Sequence, residues 1–217
     1  MKPGRIAQFL VFTAVIALSG VARGEESEIR KSFIEARETN NAVLMTKIVE
    51  DNKDKIPAEI QSLLDEALSG KATVEEQDGL LYMAELMAKE YKDVAGNASY
   101  LITVKKAAFD VKLPQPAVRL EAKDGIYVIE MPPHQDGAQN IFKPENVIIK
   151  KGGTVKWVNN DENMHIFATI SLISAGVIRS PSVEPGQSWE YKFERPGEYF
   201  YICFIHRSMK GKITVEE

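Results

Sequence analysis

One cysteine, Cys203, is all the thiol that the 217-residue chain has. An internal disulfide is therefore excluded, and Cys203 must be buried, bridged to another chain or bound to something. Histidine is almost as scarce: His134, His165 and His206 are the three in the chain. With no Cys-x-x-Cys-His, covalent c-type haem is excluded. The first 133 residues hold no histidine, so they carry no Glu-x-x-His pair for a di-iron site. There is no excess of positive charge either. The net charge is −4, and a nucleic-acid footprint would be basic. Internal repeats and low-complexity runs are absent. The longest apolar run, residues 6–18, is shorter than the ~20 residues a comfortable membrane span needs.

That run has a different reading. Lys2 and Arg5 precede it and small residues follow it up to Gly24, which is the pattern of a secretory signal peptide over residues 1–24. The mature chain is then expected to be exported, to a periplasm or an equivalent compartment, with no stable membrane insertion after cleavage. An uncleaved N-terminal anchor is the alternative.

Residues 25–112 read as a helical domain. Ile29, Phe33, Ala36, Val43, Leu44 and Ile48 fall near one face of a first helix. Pro57 suits the start of a second, which Gly70 stops. Thr73-x-x-Glu76 is a capping box for a third, which ends at Gly96. Asn97 opens a fourth, carrying Leu101, Val104, Ala108 and Val111. Four such helices with short joints suggest an antiparallel bundle. Met45, Met83 and Met87 could bind a soft metal weakly, but at helical spacing they read better as core. Net charge here is acidic.

Residues 113–117, with Pro114-Gln115-Pro116, read as a stiff linker. From residue 118 the period changes to two. Val118–Ala122 and Ile126–Met131 flank Lys123-Asp124-Gly125, a hairpin signal. Strands follow at 147–150 and 154–158. Trp189, Tyr191 and Phe193 alternate with charged residues, and residues 199–203 and 212–215 close the pattern. Short strands between Gly/Pro turns argue a Greek-key β-sandwich over residues 118–217. The fold class is thus α+β and multi-domain, a helical bundle followed by a sandwich. The segment 171–181 has no strand assignment.

Chemistry concentrates at the C-terminus. Cys203 ends a run of strand formers, and Cys203-x-x-His206-x-x-Met209 puts thiolate, imidazole and thioether within seven residues. Soft sulfur with nitrogen suits copper better than magnesium or calcium. A second imidazole, from His165, would complete a two-His, one-Cys trigonal set with a weak axial methionine. Met164 is a rival axial donor, but strand alternation points it away from its neighbour His165. His134 follows two prolines and reads as a solvated loop residue.

At these residues the chain resembles the cupredoxins, the type 1 blue copper family. The match runs through Phe142-x-Pro144, Gly153-Thr154-Val155-x-Trp157-x-Asn159-x-Asp161, His165, Pro185-Gly186, Phe193, Gly197-x-Tyr199-x-Tyr201 and Cys203-x-x-His206-x-x-Met209. The short ligand loop is most similar to that of amicyanins; plastocyanins share the general plan. The resemblance implies one copper per chain, with His165, Cys203 and His206 as equatorial ligands and Met209 axial. It also implies Asn159 holding the ligand loop by a hydrogen bond, and His206 as electron exit within an apolar patch of Phe204, Ile205 and Met209. Arg207, Lys210 and Lys212 would form a basic collar suited to redox protein partners with an acidic docking surface. The function expected is that of an exported electron carrier, not an enzyme. Copper oxidases and nitrite reductases need further histidines, including one beside the cysteine, where this chain has Ile202 and Phe204. A periplasmic copper-binding or delivery module without electron transfer is the alternative, although Met- or His-rich tracts are missing.

Overall fold

The structure is a computed structural model that describes residues 27–135 and 137–217. The expected signal segment, residues 1–24, lies outside the described residues. The described residues form two compact units, one up to Ala95 and one over Gly96–Glu217. No helix among the described residues is long and apolar enough to cross a membrane.

The first unit holds α1 (Glu28–Glu38), α2 (Ala42–Asp51), α3 (Ile56–Leu68) and α4 (Val74–Ala95). Where one helix was expected over residues 29–48, there are two. Asn40 takes a left-handed φ of 51°, which stops α1, and the Asn41 side chain accepts a hydrogen bond from the Leu44 N–H to start α2. The capping box is present: the Glu76 N–H donates to Thr73 Oγ1, and the Thr73 N–H donates to Glu76. Phe33, Ile60, Leu63, Leu64, Ala84 and Met87 are buried, so Met87 is core, as is Met83. Arg30 is buried among them and pairs with Glu66 at 2.8 Å.

The second unit begins at Gly96, so α5 (Ser99–Asp110) is grouped with the sandwich, whereas the sequence reading put this helix in the helical half. Among the described residues eight strands follow, in two sheets. One has β1 (Val118–Arg119), β3 (Asn146–Lys150), β8 (Lys210–Glu216), β7 (Gly197–Cys203) and β5 (Phe167–Thr169), in that order. The other has β2 (Ile126–Met131), β4 (Thr154–Asn159) and β6 (Ser188–Lys192). The expected hairpin is corrected here. Asp124 and Gly125 do turn the chain, both at positive φ, but β1 pairs parallel with β3 while β2 pairs parallel with β4. The turn carries the chain from one sheet to the other.

Between the sheets lies an aromatic core of Phe142, Trp157, Phe167, Phe193, Tyr199 and Tyr201. Alternation along β7 sends Tyr199, Tyr201 and Cys203 into that core and Phe200 to the opposite face. Phe200 is nevertheless fully buried. The α5 residue Phe109 meets it edge-on at 5.2 Å. Lys212 lies over its ring and bonds Asp110 and Glu198 at 2.8 and 2.7 Å, and Lys106 reaches Glu198 at 2.8 Å. The segment 171–181 is an irregular loop pinned by side chains: Thr169 Oγ1 donates to the Gly176 carbonyl, and Ser174 bonds both backbone groups of Phe200.

Candidate metal centre

Three elements converge on one point. β7 ends at Cys203, and β5 pairs with it so that Phe167 lies opposite Cys203. His165 precedes β5 by two residues and is fixed by paired backbone hydrogen bonds with Val183. The Phe204 N–H donates to the Ile166 carbonyl, which ties the start of the ligand loop to the same segment. Residues 204–209 then return the chain to β8. Two backbone bonds close this loop, from the Met209 N–H to the His206 carbonyl and from the Cys203 N–H to the Met209 carbonyl.

The result is a triangle of donor atoms. Cys203 Sγ lies 3.7 Å from His165 Nδ1 and 3.9 Å from His206 Nδ1, and the two nitrogens are 3.3 Å apart. A point equidistant from all three lies about 2.1 Å from each, inside the ~2.0–2.3 Å range of imidazole and thiolate bonds to a first-row metal. Cys203 and His165 are fully buried and His206 is partly exposed. Two imidazoles and one thiolate in a trigonal arrangement are the donor set that copper prefers, so these residues fit the ion. Met209 is buried at the edge of the same core, next to Cys203 in the loop closure.

The surroundings bias His165 toward a ligand. Burial holds its imidazole below the ordinary value, and the neighbouring His206 adds to this, against the opposing hydrogen bond to Asp161. A neutral ring has a lone pair to give. Burial alone would raise the Asp161 carboxyl. The N–H groups of His134 and Glu162 and the His165 ring outweigh it and hold that carboxyl below its ordinary range.

Met164 turns away as expected: its sulfur accepts a hydrogen bond from Ser182. His134 is exposed and outside the triangle, though its backbone N–H donates to Asp161. Asn159 is placed differently from the expectation. Its amide donates to the carbonyls of Asn163 and Val183 and its oxygen accepts from the Asp161 N–H, so it braces the segment leading to His165 rather than the loop after Cys203. Lys212 does not join a basic collar, because it is buried under α5. Met209 is likewise too buried to contribute to an exposed patch, whereas Phe204 and Ile205 are about half exposed, at 52% and 44%.

Asp161 is the residue that sequence reasoning left without a role. Its side chain is wholly enclosed and lies 3.0 Å from His165 Nε2. The available signal was its spacing of four residues from His165 within the matched pattern.

The family model described as copper binding proteins, plastocyanin/azurin family, matches residues 129–216. A plastocyanin of Scenedesmus fuscus is 38% identical over 90 residues, which is 37% of this chain and 92% of that protein. The amicyanin of Paracoccus denitrificans is 27% identical over 104 residues, 46% of this chain and 73% of its own length. Among solved structures, a purple cupredoxin from Nitrosopumilus maritimus aligns at 31% identity over 41% of this chain and 98% of its own, with a TM-score of 0.37.

Proposed function

Because the chain belongs, through residues 129–216, to the plastocyanin/azurin family of copper-binding proteins, we propose that it is an exported electron carrier whose single copper is held by His165, Cys203, His206 and Met209. The observation that carries this reading is the 3.3–3.9 Å triangle of one thiolate and two imidazole nitrogens. Copper bound there supplies one reversible electron by cycling between its monovalent and divalent states.

The chain's own residues do the rest. Cys203 ends β7, His165 is pinned to Val183 just before the neighbouring β5, and the closed loop fixes His206 against them, so little reorganisation accompanies a change of charge. Core aromatics exclude water from the sulfur side of the triangle. His206 is the member that reaches solvent, flanked by exposed Phe204 and Ile205. That patch, with the exposed Arg207 beside it, suits a small and transient encounter with a redox protein carrying an acidic docking surface. Export rests on the residue 1–24 pattern.

The copper-loaded protein is expected to be intensely blue from thiolate-to-copper charge transfer and to bleach on reduction. Cys203→Ser is expected to abolish the colour; a blue variant would show that the ligand assignment is wrong. Stopped-flow mixing with redox proteins tests the carrier role. Reversible one-electron exchange supports it, whereas transfer of copper to an acceptor without redox activity would make this a delivery protein.

A further inference from the structure

Asp161 makes four polar contacts from an enclosed position. Oδ1 accepts from the backbone N–H groups of His134, at 3.1 Å, and Glu162, at 2.8 Å. Oδ2 accepts from Asn140 Nδ2 at 2.8 Å and lies 3.0 Å from His165 Nε2. The side chain has no exposed surface and that of His165 has 1%. Such a carboxylate does not arise from surface solvation. It is held by the segment that carries His165 and by His134 and Asn140, and it faces the side of the imidazole opposite the donor triangle.

Three donors on its oxygens favour the ionised form of the Asp161 carboxyl. Two of the four partners are backbone N–H groups, which can only donate, and the third is an amide nitrogen. An ionised carboxylate is an acceptor at every lone pair. The fourth partner must then donate as well, which puts the ring proton of His165 on Nε2 and the lone pair on Nδ1. Nδ1 is the atom that lies 3.7 Å from Cys203 Sγ and 3.3 Å from His206 Nδ1. The contacts with Asp161 thus leave the lone pair on the nitrogen that faces the donor triangle.

We propose that Asp161 is a positioning residue for the metal centre: it fixes the Nε2–H tautomer of His165 and, as a buried negative charge behind that ligand, favours the divalent over the monovalent ion. The inference rests on the reading of His165 as a copper ligand. A charge in a site that excludes water is weakly screened. It stabilises the more positive oxidation state more, and so lowers the reduction potential. A carboxylate hydrogen-bonded to a ligating histidine also orients the ring and raises its basicity, and loss of such a partner typically costs metal affinity 10- to 100-fold.

Two measurements test this. In the copper-free wild-type protein, 15N-edited NMR of the histidine rings is expected to show His165 as the Nε2–H tautomer; an Nδ1–H ring would overturn the proposal without any variant. In copper-loaded Asp161→Asn, spectroelectrochemistry is expected to show the ratio of divalent to monovalent copper affinity reduced at least tenfold, a rise in potential of about 59 mV or more. A blue, folded Asp161→Asn protein with an unmoved potential would refute the charge effect while leaving the ligand assignment intact. A wild-type protein with no thiolate–copper band would instead remove the ligand reading, and this inference with it.

Discussion

Gly211, second residue of β8, faces the ring of Tyr201 across the β7–β8 pairing. A Cβ at this position would run into the ring carbons and the phenol oxygen. The ring cannot step aside, because Phe142 packs on it at 4.7 Å and Trp157 at 6.0 Å. Gly211→Ala is therefore expected to destabilise the fold by about 1–3 kcal/mol, the usual cost of overpacking a filled core. A lowered urea midpoint of the copper-free protein would show it, and an unchanged midpoint would mean the ring has room. The same contrast explains what could be read from the sequence at this scale. Cys203, His206 and His165 stood out because each is rare and their spacing matches one donor set. Asp161 did not, because its meaning depends on donors from residues 134 and 140, more than twenty positions away, that only the folded loop brings to it. Asn159 was recognisable as a brace, but not which segment it braces, since its acceptors are backbone carbonyls and carry no mark in the sequence.

Among elements, α5 shows how charge and packing cooperate. Glu198 on β7 receives Lys106 and Lys212, and Lys212 also reaches Asp110 at the end of α5. Burial alone would raise the Glu198 carboxyl, but the two lysines hold it below its ordinary value. Burial alone would lower Lys212, but Asp110 and Glu198 hold it above its ordinary value. The signs follow by linkage. The depressed Glu198 contributes stability that is present above about pH 4.3 and is lost as pH falls further, through its folded-state pKa. The raised Lys212 contributes stability that is present below about pH 10.4 and is lost as pH rises beyond it. Lys212→Met removes the shared cation and is expected to cost about 1–3 kcal/mol, less than a wholly buried pair because the carboxylates are partly solvated. It should also flatten the acid limb of stability against pH. Denaturant melts at a series of pH values check both; an acid limb of undiminished slope in Lys212→Met would count against the coupling. Little of this was legible beforehand. The apolar periodicity of residues 97–111 announces a helix but not what it packs against. The turn at Asp124-Gly125 was legible for the same local reason, while the pairing of its flanking strands was not, because a period of two says nothing about which sheet a strand joins.

For the whole molecule, the grouping of α5 with residues 118–217 has a consequence for what counts as the copper-binding domain. The family match begins at residue 129, and strand periodicity suggested a start at residue 118. Yet Phe200, fully buried on the outer face of the five-stranded sheet, meets Phe109 of α5, and Lys212 beside it bonds Asp110. Residues 96–217 contain the three donor residues and also this cover. A protein of residues 96–217 is expected to take up copper with the absorption spectrum of the full chain. One of residues 118–217 keeps the ligands but bares Phe200 and strips Lys212 of one partner. Exposing a phenylalanine alone costs about 1.5–3 kcal/mol, and domains of roughly 100 residues have only about 5–15 kcal/mol in reserve. The shorter protein should therefore melt at clearly lower denaturant concentration while still turning blue when folded. Equal midpoints for the two would mean that α5 is an appendage, and the sandwich would then be complete from β1 onward.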